Sequence, residues 1–154
     1  MRLALPLATL ALAACTPKPE PAPAPAPVKK AARPPDDTHR FPAQNQVESK
    51  LVTEPLYGHP FLPAGNIATY KKGSSQYELL LVRAASPTDA AILLLDYKKA
   101  LQNPKLIAHF GGYFGQDNGR SVFVFTKTRW LAAVVGLPEA EADAIARTFA
   151  ARLD

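Results

Sequence analysis

The chain has 154 residues, of which 47% are apolar, with a formal net charge of +5 and a single cysteine. One cysteine excludes an intrachain disulfide and a metal site built from several cysteines. From Phe41 onward there are twelve Lys or Arg and ten Asp or Glu residues, so most of the positive excess precedes that point. The charge therefore does not indicate a nucleic-acid-binding face, and it gives only a weak argument for contact with an anionic lipid or polymer near the N-terminus.

The first fifteen residues have the pattern of an export signal. Met1-Arg2 gives a positive start, residues 3–11 (LALPLATLA) are apolar but too few to span a bilayer, and Leu12-Ala13-Ala14-Cys15 follows. This segment resembles the signal peptide and lipobox of bacterial lipoproteins. The resemblance implies a signal peptide of residues 1–14, cleavage before Cys15 and lipid on its thiol, which attaches the chain to a membrane. The alternative is an ordinary secretory signal that leaves Cys15 as a free thiol.

Thr16 follows the cysteine. In Gram-negative lipoproteins an aspartate at this position commonly holds the protein in the inner membrane, and this chain departs from that pattern. The resemblance therefore implies the outer membrane, facing the periplasm, if the source is Gram-negative.

A proline-rich segment comes next. Residues 17–35 (PKPEPAPAPAPVKKAARPP) contain eight prolines and no aromatic residue. Such a composition cannot bury enough apolar surface to offset the entropy of folding, so residues 15–40 are predicted to be a disordered tether. Alternating Pro-Ala favours polyproline II, in which nineteen residues would reach on the order of 60 Å. A docking ligand for an aromatic-lined groove is the alternative.

Residues 41–154 are predicted to form one small α+β domain. The strand-like runs are residues 66–71, 76–83, 105–110, 120–125 and 129–136. Ser86-Pro87-Thr88-Asp89 is typical of a helix start, and the helix is expected to end near Gln102, before Asn103-Pro104. A second helix is predicted from Leu137. The order ββαβββα predicts an antiparallel sheet of about five strands with two helices on one face, and a further edge strand near residues 50–53 stays open.

The glycine-rich segment of residues 111–119 is predicted to be a loop and is the best candidate for a recognition surface. Glycine frees its backbone to take unusual conformations, and functional contacts often gather on such loops. The candidate interaction surface consists of Tyr113, Phe114, Gln116, Asp117 and Asn118. The alternative is that Tyr113 and Phe114 fill the core.

The sequence contains no recognisable catalytic or metal-binding pattern. His39, His59 and His109 are widely separated and do not form a HExxH arrangement, so we predict no metal and no cofactor. No serine occupies a GxSxG elbow, and the glycine-rich segment lacks the ending of a phosphate loop. The carboxylate pairs Asp89/Asp96 and Glu139/Asp143 are explained more simply as solvated groups than as acid–base pairs.

These observations favour a noncatalytic envelope module. The expected partners are the membrane, through lipid on Cys15, and an envelope protein or a cell-wall polymer, but not nucleic acid. One alternative is a small envelope hydrolase or ligand-binding domain that uses residues 109–119, with Asp117 or His109. Another is an assembly factor for an envelope complex, for which the apolar Ile92 and Leu95, off the buried stripe of the first helix, would form the contact.

Overall fold

The computed structural model of the chain describes residues 33–154. The predicted signal peptide, Cys15 and most of the predicted tether lie outside the described residues. Between residues 33 and 154, no helix is both long and apolar enough to cross a membrane.

Within this part of the chain, seven strands and two α-helices follow one another in the order βββαββββα. The strands are β1 (Gln46–Val52), β2 (Gly65–Lys72), β3 (Ser75–Arg83), β4 (Gln102–Ile107), β5 (Gly112–Asp117), β6 (Arg120–Lys127) and β7 (Trp130–Val135). The helices are α1 (Pro87–Ala100) and α2 (Glu139–Ala150). The predicted α+β class with an antiparallel sheet is confirmed.

The seven strands form one antiparallel sheet in the order β1-β2-β3-β7-β6-β5-β4. Two meanders, β1 to β3 and β4 to β7, meet where β3 pairs with β7, with Leu80 opposite Ala133. The connection through α1 carries the chain from the middle of the sheet to its far edge, where β4 pairs only with β5. The last strand of the first meander, β3, therefore pairs with the last strand of the second meander, β7.

Helix α1 begins where the sequence predicts. The Ser86 side chain accepts a hydrogen bond from the backbone N–H of Asp89 at 3.1 Å, and Pro87 occupies the first helical position. The helix ends at Ala100, two residues earlier than expected, because Leu101 is already extended. Pro104 then disfavours helical backbone at the residue before it.

The two helices cover opposite faces of the sheet, which corrects the expectation that they share one face. Sheet residues buried on the α2 face include Leu79, Leu81, Phe123, Phe125, Ala132 and Val134. Those buried on the α1 face include Leu80, Val82, Val122, Val124, Leu131 and Ala133. Successive residues of the central strands are therefore apolar, the pattern of strands buried on both sides, and each face needs its own cover.

The strand count exceeds the expected five because β5 occupies the predicted glycine-rich loop and β1 is a full edge strand. Glycine is depleted in strands, which concealed β5 in the sequence. In β5, close packing against β6 requires a glycine at position 112. A Cβ at Gly112 would overlap the Val124 carbonyl oxygen and lie 2.9 Å from the Phe125 Cβ.

Two connecting segments complete the cover of the sheet. The β1–β2 loop, residues 53–64, folds over the α1 face and buries Leu56 and Leu62 completely. On the α2 face, the Phe41 ring stacks on Phe149 with their centroids 5.5 Å apart. Asp37 is already buried, so packing against the domain begins a few residues before Phe41.

Candidate functional site

The predicted interaction surface is divided between the two faces of the sheet. Residues 112–117 form β5 rather than a loop, and side chains alternate along a strand. Tyr113 packs against the core under α1, whereas Phe114 packs against the core under α2. Gln116 lies on the Phe114 side and donates to the Ser121 hydroxyl at 3.1 Å. Asn118 lies in the β5–β6 turn with a positive φ of 50°.

Asp117 belongs instead to a polar cluster beneath the β1–β2 loop. Its Oδ2 lies 2.7 Å from Nε2 of His59 and accepts a hydrogen bond from the Tyr97 hydroxyl at 3.3 Å. The carboxylate is 8% exposed, and the His59 ring stacks on Phe61 with 5.0 Å between their centroids. These contacts join the loop, α1 and β5.

A neighbouring set of hydrogen bonds holds the start of the same loop. The Tyr57 hydroxyl donates to Glu78 Oε2 at 2.8 Å, and Arg120 Nη1 donates to the same oxygen at 3.0 Å. Tyr57 has a φ of 52°, a left-handed conformation that is rare for a bulky residue and that surrounding contacts must maintain.

The buried phenols of this region are fixed hydrogen-bond donors. Burial raises the pKa of Tyr57 well above its ordinary value, and the Glu78 carboxylate raises it further. Burial and then the Asp117 carboxylate raise the pKa of Tyr97 in the same way. Each phenol therefore keeps its proton at neutral pH and donates to a carboxylate. The arrangement clamps the loop to the sheet, with the His59 side chain only 17% exposed.

A more accessible site lies on the opposite face, between edge strand β4 and helix α2. Here a groove of about 560 Å³ is open to solvent. Its lining includes the apolar residues Ile107, Phe123 and Ala140. Of these, Ile107 and Phe123 are buried residues of the core. The groove forms because α2 packs over the central strands β6 and β7, which leaves the outer strands less covered on this face.

An ion pair and a histidine–carboxylate contact connect the strand side of the groove to the helix. Lys105 Nζ lies 2.8 Å from Glu139 Oε1, and His109, in the turn after β4, contacts Asp143. Glu139 and Asp143 are four residues apart, so both lie on one face of α2. The hydrogen bond from Arg147 holds the pKa of Asp143 below its ordinary value, with His109 contributing in the same direction. Asp143 therefore stays ionised and serves as a fixed negative charge.

The other sequence candidates do not converge. His109 and Asp117, each considered for hydrolysis, have separate partners, Asp143 and His59. Asp89 accepts from Ser86 at the start of α1, while Asp96 pairs with Lys99. Among residues 33–154, no group of three or more His, Cys, Asp or Glu side chains is placed to hold a metal ion.

The structure also gives roles to residues for which the sequence predicted none. Lys105, His59 and Tyr57 gain their roles from partners distant in sequence, such as Asp117, which is 58 positions from His59. Ile92 and Leu95, proposed as a contact for a larger complex, are 51% and 49% exposed on α1. They lie on the solvent-facing side of α1, on the opposite face of the sheet from the groove.

Comparison with known proteins found no family model, no curated protein and no solved structure that matches this chain.

Proposed function

We propose that the chain is a membrane-anchored bacterial envelope lipoprotein whose domain is a noncatalytic binding module. Its binding surface is the groove between β4 and α2, and its ligand is an extended peptide segment of another envelope protein. The observation that carries this proposal is the groove itself, an open cavity of about 560 Å³ whose apolar residues lie beside the Lys105–Glu139 ion pair and the His109–Asp143 contact.

The shape of the groove fits an apolar side chain flanked by polar groups. Ligand sites are commonly concave and apolar, with a few polar groups that fix the ligand's orientation. The Lys105–Glu139 pair is exposed, with 64% and 39% of the two side chains accessible. Exposed pairs of this kind contribute about 0–1 kcal/mol, so a ligand can replace them with its own charged groups at small cost.

The edge strand supports an extended peptide as the ligand. β4 pairs only with β5, so alternate backbone N–H and C=O groups point away from the sheet. A peptide can add to such an edge while its side chains enter an adjacent groove. Asn103, with a φ of 51°, and Pro104 interrupt the regular register at the start of β4, which directs pairing to Lys105–Ile107.

The state of the carboxylates favours binding over catalysis. A general acid at neutral pH needs a raised pKa, whereas the pKa of Asp143 is lowered by Arg147 and His109. Glu139 is engaged by Lys105 at 2.8 and 3.0 Å. Both groups therefore suit electrostatic recognition of a positively charged flank of the peptide.

Photo-crosslinking in cells tests the groove. A photoreactive phenylalanine analogue at Ala140, which is exposed in the groove, should give one reproducible protein adduct, identified by mass spectrometry. The matched control is the same analogue at Ala91, exposed on α1 on the opposite face of the sheet. Identical adducts from both positions, or none from Ala140 in a folded and expressed protein, would reject the groove as the binding surface. An adduct with glycan alone would replace the peptide by a cell-wall polymer.

A further inference from the structure

A second cavity, distinct from the groove, lies where β3 ends and α1 begins. It has a volume of about 440 Å³. Its lining contains three arginines, Arg40, Arg83 and Arg129, together with Trp130 and a single acid, Asp154. Three like charges around one cavity repel one another, so the structure must hold them in place by other contacts.

Trp130 and Asp37 supply those contacts. The guanidinium carbons of Arg40 and Arg83 lie 4.6 Å and 5.0 Å from the centroid of the Trp130 ring, which is almost completely buried. Arg83 also donates from Nε and Nη2 to the two carboxylate oxygens of the buried Asp37, the first at 3.0 Å. Stacking and a two-pronged ion pair fix the plane of the Arg83 side chain before any ligand arrives.

The three guanidinium groups keep unused donors. Arg40 donates from Nη1 to the backbone oxygens of residues 152 and 154, but its Nε is buried without a hydrogen-bond partner, 3.9 Å from Asp37 Oδ1. Arg129 donates only from Nη2, to the Ala85 carbonyl, and Arg83 Nη1 has no acceptor among residues 33–154. Arg83 and Arg129 therefore retain N–H groups without an acceptor among residues 33–154, whereas the Arg40 Nε is buried and not offered to a ligand.

Helix α1 adds to the positive potential. Ser86 and Pro87 line the cavity, so the first turn of this fourteen-residue helix faces it, and the N-terminal end of a helix attracts anions. Three carboxylates oppose this positive potential, and the first is Asp37, which is paired with Arg83. Asp154 is paired with Lys127 at 2.7 Å, and Asp89 accepts the Ser86 hydroxyl at 2.7 Å.

We propose that this arginine cavity binds a phosphate group carried by a lipid headgroup or by a free phosphate ester. Arginine forks match the oxygens of phosphate in paired, charge-assisted hydrogen bonds. Pro34 and Pro35 line a smaller neighbouring cavity that also contains Arg83, so the described chain enters the domain at this end. The headgroup source rests on the proposed lipid anchor, whereas the phosphate chemistry does not.

Trp130 fluorescence reports binding, because Trp130 is the only tryptophan of the chain and the guanidinium groups of Arg40 and Arg83 lie over its ring. The full-length chain in neutral detergent is titrated with sodium phosphate at constant ionic strength, with sodium chloride as the reference salt. Phosphate should change the Trp130 fluorescence saturably and chloride should not. Arg129→Gln should weaken phosphate binding about tenfold, the effect of one charge-assisted contact. Arg147→Gln, which removes an arginine beside the groove, should not change it.

Two further arms make the result decisive. Circular dichroism checks that Arg129→Gln remains folded. Arg129→Lys keeps the positive charge but loses the paired donors of the guanidinium group, so it should bind phosphate with a strength between those of the wild type and Arg129→Gln. Mixed micelles containing phosphatidylglycerol should give the same fluorescence change if the source is a headgroup; a response to free phosphate alone assigns a soluble phosphate ester. No saturable response to either, or equal responses from the wild type and Arg129→Gln, would overturn the proposal. Neither result depends on crosslinking from Ala140.

Discussion

His59 Nε2 lies 2.7 Å from Asp117 Oδ2 and joins the β1–β2 loop to the end of β5. Asp117→Ala should leave both His59 and the Tyr97 hydroxyl without their acceptor. Loss of a buried acceptor costs about 1–3 kcal/mol in the free energy of unfolding, measured by denaturant titration. His39→Ala, at an exposed histidine, is the control and should change it by less than about 0.5 kcal/mol. Unchanged amide exchange in residues 53–64 would contradict the clamp.

The buried tyrosines make the domain sensitive to alkaline pH. Burial raises the folded-state pKa of Tyr57, Tyr70 and Tyr97 above that of the unfolded chain, which is about 10. Above pH 10 the unfolded state loses protons that the folded state retains, so stability is complete below that pH and declines as pH rises. The melting temperature should fall between about pH 10 and 11.5. Tyr97→Phe should show a shallower fall, and parallel curves would contradict this assignment.

Close packing between β5 and β6 makes Gly112 intolerant of a side chain. Gly112→Ala places a Cβ against the Val124 carbonyl oxygen and should lower the free energy of unfolding by about 1–3 kcal/mol. The adjacent Gly111 has a φ of 64° but open space around it, and Asn tolerates that conformation. Gly111→Asn should therefore cost less in the same denaturant titration. Equal costs would be inconsistent with the packing of β5 on β6.

Two neighbouring leucines of α1 should differ in how strongly a charged substitution destabilises the domain. Leu95 is 49% exposed and Leu94 is 6% exposed. Leu95→Asp should change the free energy of unfolding by less than about 1 kcal/mol, whereas Leu94→Asp buries an unpaired carboxylate and should unfold the domain. Circular dichroism distinguishes the two. If Leu95→Asp stays folded but loses an envelope complex detected by co-purification, the outer face of α1 gains a role as an assembly contact.

The proposed anchor predicts the behaviour of Cys15 in cells. Cys15→Ser should abolish incorporation of labelled palmitate and move the protein from the membrane fraction to the soluble fraction, because the acyl chains supply the attachment. If the Cys15→Ser variant stays in the membrane fraction after an alkaline wash, that result would argue against lipid as the anchor. In a Gram-negative host, Thr16→Asp should keep the label but shift the protein to inner-membrane fractions on a density gradient.

Local signals predicted much of the fold. The β2–β3 and β6–β7 hairpins and the start of α1 follow from strand composition, turn residues and the Ser86 cap. The β5–β6 hairpin also had a local signal, since Asn118-Gly119 adopts positive φ at both residues, as two-residue hairpin turns favour. The surrounding glycines obscured it. Opposite placement of the helices was visible in the unbroken apolar run of β7, where all six residues are buried.

The candidate site depends on distances that local patterns do not contain. The spacing of Glu139 and Asp143 predicts that they share a helix face, but not that Lys105 and His109 lie across from them. Those contacts require β4 to occupy the far edge of the sheet, which the crossover through α1 determines. The same reason hid the pairing of His59 with Asp117 and the gathering of Arg40, Arg83 and Arg129 around one cavity.

The central position of β7 constrains the order in which the domain is completed. β7 is the last strand in the chain, yet it lies between β3 and β6 and joins the two meanders. Until Trp130–Val135 are available, two apolar strands have unpaired edges, which invite association with other chains. Under the proposed export from the N-terminus, the domain would remain unassembled, or be protected by a chaperone, until β7 has crossed the membrane.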